Sequence, residues 1–288
     1  MQIKSLRDGI LKDILKEELS KKYIRYLKRQ NALFYLNGQE IKNYYEIKKD
    51  DLIDIEFSQA TNKEERLYDI PLDIIYENED FIVINKPRNL NTIPSRKEPQ
   101  KSLYNALYTY LLKNNKLKTI HIITRLDRKT SGLVLIALNK EAALFLNKNH
   151  SKIHKIYYAR VKGIIEENHF IVDKPISKDE ETGKRIIDFN GKPSKTEFYV
   201  LERKNNMTCL KCILYTGRTH QIRLHLASIG YPIIGDDLYG EDAECLNLEC
   251  HELTFIDSYG LSHTFKLPPA AWMKEWKNII TQLFSLQL

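Results

Sequence analysis

The stretch that decides the fold reads HIITRLDRKTSGLVL and runs from His121 to Leu135. At its centre the carboxylate of Asp127 lies among three cations: Arg125, Arg128 and Lys129. Neighbouring positive charge favours the ionised form of a carboxylate. The Thr-Ser-Gly that follows is typical of a tight turn, in which Gly132 can adopt dihedral angles closed to other residues. The apolar run 133–138 then predicts a buried strand, so the stretch predicts a charged loop that leads into the core.

These residues resemble the signature of the RluA/RluD-type pseudouridine synthases, Arg-Leu-Asp-Arg-x-Thr-Ser-Gly-Leu, which begins here at Arg125. The resemblance implies an enzyme that isomerises uridine to pseudouridine within RNA and uses Asp127 as its essential aspartate. It also implies that Arg125 occupies the space that the flipped base vacates. The family usually has His where this chain has Thr124. We expect no cofactor and no metal ion, because the chemistry needs neither.

Two further motifs follow in the family's order. The segment KIYYARVKG, which begins at Lys155, alternates as a strand and resembles Lys-x-Tyr-x-Ala-x-Val-x-Gly. In that register the active-site tyrosine of the family falls on Tyr157, which would stack on the uracil and help to move a proton. The third motif, TGRTHQIRLHLA from Thr216, matches the family almost without a break. The resemblance, which covers about residues 71–270, implies that Arg218 pairs with Asp127 and orients it.

Three more cations are candidate RNA contacts. Lys86 ends the apolar run that begins at Phe81 and precedes Pro87, a pattern that the family shares, and we expect it to contact phosphate. The family usually has a glycine two residues after this proline; here it is Asn89, which tolerates left-handed dihedrals better than most residues. Lys155 and Arg223 are the other two candidates. Arg223 is also the competing partner for Asp127, although we expect it to contact phosphate instead.

Composition is consistent with these assignments. The chain of 288 residues is 42% hydrophobic and 29% charged, as is typical of soluble globular proteins. No apolar run approaches the roughly 18 residues that span a bilayer, and the N-terminus lacks a secretion signal, so we expect a cytoplasmic protein that does not contact membranes. The net charge of +7 favours a polyanionic partner. Three segments of the chain are rich in cations: 21–29, 113–118 and 148–155.

The four cysteines do not predict a metal site. Cys209 and Cys212 are three residues apart in an apparent strand, so their side chains should face opposite sides of the sheet. Cys245, Cys250 and His251 lack the spacing of zinc ligands. We therefore expect reduced thiols in a cytosolic protein.

Residues 1–58 resemble the small RNA-binding domain first seen in a ribosomal small-subunit protein, with two helices followed by strands and an Asn37-Gly38 turn. Ser20 can cap the second helix. The exposed face of that helix is predicted to carry five RNA-binding cations: Lys21, Lys22, Arg25, Lys28 and Arg29. Residues 59–70 are interpreted as a linker and 71–288 as the catalytic domain.

The resemblance implies an α+β fold, in which a mostly antiparallel bent sheet and its helices surround a cleft in a monomer. Periodicity predicts a helix over 101–114 and a short helix capped by Asn139. In the third motif, Gly217 should permit a turn, Thr219 should cap the helix and Gly230 should end it.

Two other functions remain open at this point. A protein that binds RNA or ribosomes could keep the fold and lack activity, since Thr124 and Asn89 depart from the family pattern. A metal-dependent phosphoryl-transfer enzyme could use Asp127 with Asp236 and Asp237, although the sequence contains no phosphate-binding glycine loop. Ribosomal RNA is the first candidate substrate and transfer RNA the second. The motifs do not identify the uridine, nor whether Asp127 attacks the sugar or removes a ribose proton.

Overall fold

The computed structural model describes residues 2–19, 24, 27, 32–57, 67–116, 118–241 and 245–273. The chain divides into two compact units, residues 1–65 and 66–288. The division falls within 59–70, the stretch interpreted as a linker. Most of that stretch lies outside the described residues, so its interpretation stays a prediction.

The first unit is built around a small antiparallel sheet. Its elements are β1 (Gln2–Lys4), β2 (Gly9–Ile10), α1 (Leu11–Glu18), β3 (Ala32–Leu36), β4 (Gln39–Ile41), β5 (Glu46–Ile47) and β6 (Leu52–Phe57). The four-stranded sheet has the order β1-β6-β3-β4, and β2 pairs with β5. Asn37 and Gly38 both have positive φ, which confirms the predicted hairpin turn between β3 and β4. The predicted cap Ser20 and the five cations of 21–29 lie outside the described residues.

The second unit contains a ten-stranded sheet and three α-helices among its described residues. The first strands and helices are β7 (Asp73–Glu77), β8 (Phe81–Lys86), α2 (Leu103–Lys113), β9 (His121–Ile122), β10 (Ser131–Ala137), α3 (Lys140–Lys148) and β11 (His154–Lys162). A hairpin, β13 (Ile176–Lys178) and β14 (Arg185–Ile187), lies outside the large sheet. The remaining elements are β12 (His169–Asp173), β15 (Lys195–Lys204), β16 (Met207–Leu214), α4 (Gln221–Ala227), β17 (Leu248–Ile256) and β18 (Ser262–Lys266).

The large sheet has the strand order β12-β15-β16-β11-β17-β10-β8-β7, with β18 beside β17 and β9 beside β10. All of these pairs are antiparallel except β10 with β17, which confirms the predicted mostly antiparallel sheet. Cys212 packs in the main core and Cys209 in a second cluster with Trp272, so the two thiols face opposite sides as predicted. No helix among the described residues is long and apolar enough to cross a membrane.

The helix ends predicted in the second unit agree with the structure at Asn139 and Gly230 but not at Thr219. Asn139 accepts a hydrogen bond from the backbone N–H of Ala142 at 2.8 Å, which confirms the predicted cap of α3. Thr219 was expected to cap α4, but the helix begins later and His220 occupies the cap position. Gly230 follows the helix with φ +86°, as expected of a terminating glycine. Gly217 does not have positive φ, so its turn does not require glycine.

Gly132 allows two strands to meet immediately after the Asp127 loop. It pairs with Cys250 at the parallel contact between β10 and β17, and its φ is +115°. A Cβ atom here would lie 2.3 Å from the carbonyl oxygen of Cys250. Both the dihedral angle and the close backbone approach therefore require glycine.

We expect Gly132→Ala to lower the free energy of unfolding by about 3 kcal/mol, because the strands must separate and the residue keeps a strained φ. Thermal or urea unfolding measures the change. Gly217→Ala is the matched control, since a Cβ at that position meets no atom within 4 Å. Equal stability of the two variants would contradict the required close approach.

Candidate active site

The three sequence motifs meet at one cavity of about 290 Å³ in the second unit. The residues predicted to be catalytic all line it: Asp127, Tyr157 and Arg218. Arg125, Lys155 and Arg223 line it as well, whereas Lys86 does not. A volume near the lower end of the range for small-molecule sites, about 300 to 1,000 Å³, is suited to a single nucleobase.

Hydrogen bonds of Thr124 and Leu126, which precede Asp127, fix the loop that carries this carboxylate. The hydroxyl of Thr92 donates to the carbonyl of Leu126 at 2.8 Å, and the backbone N–H of Leu126 returns a bond to the same hydroxyl at 3.2 Å. The buried hydroxyl of Thr124 accepts from the N–H of Leu135 at 2.9 Å. The threonine at the position where the family usually has histidine therefore connects the loop to β10.

Lys86 is buried beneath this loop, which corrects the expectation that it contacts phosphate. Its side chain is 0% exposed, and its Nζ donates to the carbonyls of Pro87 and Leu90, both at 2.8 Å, and of Arg128 at 3.3 Å. Burial lowers the pKa of Lys86 to about 7, while the negative charge of Asp127 acts in the opposite direction. The lysine thus holds the loop by its carbonyl at Arg128 and is electrostatically coupled to Asp127.

The turn that follows Lys86 accommodates the departure from glycine. Asn89 has φ +59°, a left-handed conformation that asparagine adopts more readily than most residues. The structure therefore confirms that the turn tolerates asparagine here.

Tyr157 faces the cavity from β11, beside a bulge. The register between β11 and β17 shifts between Ile156 and Tyr157, so that Tyr157 lies opposite Cys250 on one side and Cys212 on the other. Burial is the main cause that raises the pKa of Tyr157 well above its usual value, and the charge of Asp127 adds to it. The phenol is therefore protonated at neutral pH, as a proton donor must be.

Gln221 fixes the loop that carries Arg218. Its Oε1 accepts from the hydroxyl of Thr216 at 2.8 Å and from the backbone N–H of Arg218 at 3.0 Å. Its Nε2 donates to the carbonyl of Lys195 at 3.0 Å and to the hydroxyl of Thr196 at 2.9 Å. All four hydrogen-bonding positions of this buried amide are filled, which joins the third motif to β15.

The expected ion pair between Arg218 and Asp127 is not formed in this structure. Among the residues that the structure describes, no N–O distance within 4.0 Å joins the two side chains. The Nε of the exposed Arg218 instead donates to the carbonyl of Pro193 at 3.2 Å. Both side chains line the same cavity, so their pairing stays a prediction for the RNA-bound enzyme.

Arg223 is not available for the phosphate contact that was expected of it. It is 3% exposed and makes a bidentate pair with the fully buried Asp236, with bonds of 2.8 and 2.5 Å. A further contact of 3.3 Å reaches Asp237, whose other oxygen lies 3.1 Å from Nζ of Lys129. The two carboxylates proposed for the metal-dependent alternative are therefore engaged by cations, which contradicts that alternative. No metal-binding cluster of acids, histidines or cysteines occurs among the described residues.

Two of the three cation-rich segments differ in how far their charges are neutralised. In the segment 113–118 each lysine is paired with an acidic residue: Lys113 with Asp69, Lys116 with Glu77 and Lys118 with Glu79. In 148–155, Lys148 and Lys152 are exposed and Lys155 half-buried, without an ion pair to any described residue. This second segment also contributes His150 and Lys155 to the cavity wall. It is therefore the better candidate for a phosphate track.

Sequence analysis assigned no role to several residues that line or support the cavity. His150 and His220 line it, while Gln221 and Tyr239 hold its wall. His220 and Gln221 lie inside the third motif, so the motif itself was the available signal. Their contacts could not be inferred, because their partners lie on other strands and loops.

Comparison with known proteins agrees with this geometry. Residues 80–228 match the family model described as RNA pseudouridylate synthase. An uncharacterised RNA pseudouridine synthase of Bacillus subtilis is 34% identical over 245 residues, which are 83% of this chain and 87% of the relative. The chain belongs to the RNA pseudouridine synthases. The relationship confirms the resemblance to the RluA/RluD-type enzymes.

Further relatives of this pseudouridine synthase are consistent with the assignment. The ribosomal large subunit pseudouridine synthase D of Haemophilus ducreyi is 39% identical over 175 residues, which are 59% of this chain and 53% of the relative. The solved structure of human RNA pseudouridylate synthase domain containing 1 is 26% identical and has a TM-score of 0.59. The match covers 69% of this chain and 84% of the human chain. The second unit therefore has a pseudouridine synthase fold.

The lowered pKa of Lys86 predicts how the stability of this synthase depends on pH. Between about pH 7 and pH 10.5 the unfolded chain holds a proton on Lys86 that the folded chain has released, so stability relative to Lys86→Met should rise with pH. The largest slope is about 1.4 kcal/mol per pH unit. Below about pH 7 both states are protonated and the difference should be constant.

Urea unfolding of both proteins across this pH range tests the expectation. The measured quantity is the free energy of unfolding of the wild type minus that of Lys86→Met. Lys113→Met is the control, because it removes an exposed lysine. A difference that does not change with pH would show that the three carbonyls keep the ammonium fully charged inside the fold.

Proposed function

We propose that this pseudouridine synthase acts on a uridine of ribosomal RNA, and that Asp127 carries the reaction in the cavity that it shares with Tyr157 and Arg218. The observation that carries the proposal is that three residues from three separate motifs line one space large enough for a single base. The printed name of the Haemophilus ducreyi relative, a ribosomal large subunit synthase, supports ribosomal RNA ahead of transfer RNA.

A uridine in a folded RNA reaches this space only after it has left its stack, so base flipping precedes the chemistry. Asp127 then acts on the ribose, either as a nucleophile at the anomeric carbon or as a base at the neighbouring carbon. Arg125, which is exposed at the cavity wall, is suited to the space that the base has left. Tyr157 supplies an aromatic face for the detached uracil and a protonated phenol.

Arg218 is proposed to approach Asp127 once RNA fills the cavity. Its backbone is held by Gln221, whereas among the described residues its guanidinium has one hydrogen bond, to the carbonyl of Pro193 at 3.2 Å. A planar guanidinium can orient a carboxylate through two parallel hydrogen bonds, which a lysine cannot do. We therefore expect the side chain to exchange its carbonyl partner for the carboxylate while Gln221 keeps the backbone in place.

We expect Asp127→Asn to abolish isomerisation while RNA affinity and melting temperature change little. The amide is close in size to the carboxylate but is neither a nucleophile nor a base. Pseudouridine mapping of cellular RNA, with and without this protein, first identifies the uridine; turnover on a fragment that contains it then compares variant and wild type. Turnover by Asp127→Asn close to the wild-type rate would remove Asp127 from this role.

The cations of the segment 148–155, which leads to the cavity wall, are proposed to supply affinity. Replacing Lys148, Lys152 and Lys155 by Gln should make the slope of log K, the association constant for RNA, against log salt concentration less steep by about 2. Each phosphate contact on single-stranded RNA contributes about 0.7 to this slope, and three contacts are lost. The same change at Lys113, Lys116 and Lys118 is the matched control and should alter the slope little, since acidic partners already neutralise these lysines.

The N-terminal cations of 21–29 form a third arm of the same experiment. If residues 1–58 bind RNA as proposed, neutralising Lys21, Lys22, Arg25, Lys28 and Arg29 should also flatten the slope. Equal slopes for all three variants would contradict the distinction between paired and unpaired segments.

A further inference from the structure

His220 holds an unusual position at the wall of the cavity. It lies between the proposed Arg218 loop and α4, in a left-handed conformation with φ +60°. Its Nδ1 is 2.9 Å from the phenolic oxygen of Tyr239, and the two rings meet edge to face at 5.7 Å. A strained backbone at a cavity wall, secured by a second side chain, suggests that the direction of the imidazole matters.

Tyr239 determines which ring nitrogen of His220 carries the hydrogen. Among the described residues, the phenolic oxygen of Tyr239 has one hydrogen-bonding partner. Its own hydrogen has one acceptor among the described residues, Nδ1 of His220. Burial is the main cause that lowers the pKa of His220, and it outweighs the charge of Asp127, which acts in the opposite direction, so the ring is neutral at neutral pH. A neutral ring that accepts at Nδ1 carries its hydrogen on Nε2.

The Nε2 atom is the unused end of this arrangement. It makes no hydrogen bond with any residue that the structure describes, and His220 lines the same cavity as Asp127 and Tyr157. A fixed N–H donor beside a space of one base is suited to a carbonyl acceptor, and uracil has two carbonyl groups. A neutral donor of this kind does not neutralise the carboxylate of Asp127 as a second cation would.

We propose that Nε2–H of His220 donates a hydrogen bond to a carbonyl oxygen of the uracil that enters the cavity, which rests on the proposed function of this site. When the bond between base and ribose breaks, its electron pair stays on the uracil and spreads onto the carbonyl oxygens. A donor that is already oriented stabilises charge that develops there. His220 would therefore strengthen its contact as the base detaches, and Tyr239 would act as a positioning residue that keeps the tautomer.

The test uses the full-length protein and a synthetic RNA fragment that contains the mapped uridine. His220→Gln keeps an N–H donor at the distance of Nε2, whereas His220→Asn tolerates the left-handed backbone but is too short to reach the base. Each enzyme is assayed on the uridine fragment and on two fragments in which sulfur, a weaker acceptor, replaces one carbonyl oxygen of the target base. Turnover by the wild type on the uridine fragment establishes the proposed function before variants are compared.

We expect His220→Asn to lose about tenfold in kcat/KM, the value of one hydrogen bond, while His220→Gln stays within about threefold of the wild type. One of the two sulfur substitutions should slow the wild type by a similar factor and leave the rate of His220→Asn unchanged. Tyr239→Phe, which frees the tautomer without touching the base, should give an intermediate loss with the same substrate dependence.

Three results would overturn the proposal. His220→Asn could retain the kcat/KM of the wild type. It could also lose activity equally on all three fragments, which is expected if the ring only supports the fold or orients Asp127. Both sulfur substitutions could slow the wild type and His220→Asn by the same factor. Absence of wild-type turnover on the uridine fragment would instead remove the proposed function together with this inference. Melting temperatures of the variants separate loss of structure from loss of the contact.

Discussion

The buried guanidinium of Arg223 is the interaction on which the active site depends. It joins α4 to Asp236 through two hydrogen bonds and to Asp237 through a third, and Asp237 in turn pairs with Lys129 in the Asp127 loop. A charge buried to this extent is tolerated only when its hydrogen-bonding groups are satisfied, and removal of one partner of such a pair typically costs about 3 to 5 kcal/mol. The positions of α4 and the Asp127 loop are therefore coupled, because neither can shift without exposing a buried charge or leaving it without a partner.

A second buried basic residue holds the same loop. Lys86 lies at the end of β8 and holds the carbonyl of Arg128, one residue after Asp127. The charge of Asp127 influences the pKa of both Lys86 and Arg223, so the aspartate is electrostatically coupled to both buried basic residues. Preorganised charges of this kind require no rearrangement at the moment of reaction, which is a large contribution to many enzymes.

The third motif shows how a short sequence can encode a set of supports rather than a set of catalysts. Gln221 fills its four hydrogen-bonding positions between the Arg218 loop and β15, Arg223 joins the acidic pair, and His225 bridges Thr196 and the carbonyl of Lys174. Arg218 and His220, which line the cavity, lie next to these supports in the chain. Rigid support of neighbouring residues is what allows two side chains of one loop to be aimed at the same small space.

Sequence alone determined the family, the order of the three motifs and the three catalytic candidates that line the cavity. These follow from local patterns: Asp127 precedes a turn that needs Gly132, Tyr157 falls in an alternating strand, and Asn139 caps a helix. Such features depend on residue type and on spacing within a few residues, which a sequence displays directly.

Only the tertiary structure decided what the charged residues do. Lys86 and Arg223 are residue types that commonly contact phosphate. In the fold, however, Lys86 binds three backbone carbonyls and Arg223 binds two carboxylates. The ring of His220 is oriented by Tyr239, 19 residues onward in the chain. Charge is visible in a sequence, but burial and the identity of the partner are not, because both depend on which distant strands and loops come together when the chain folds.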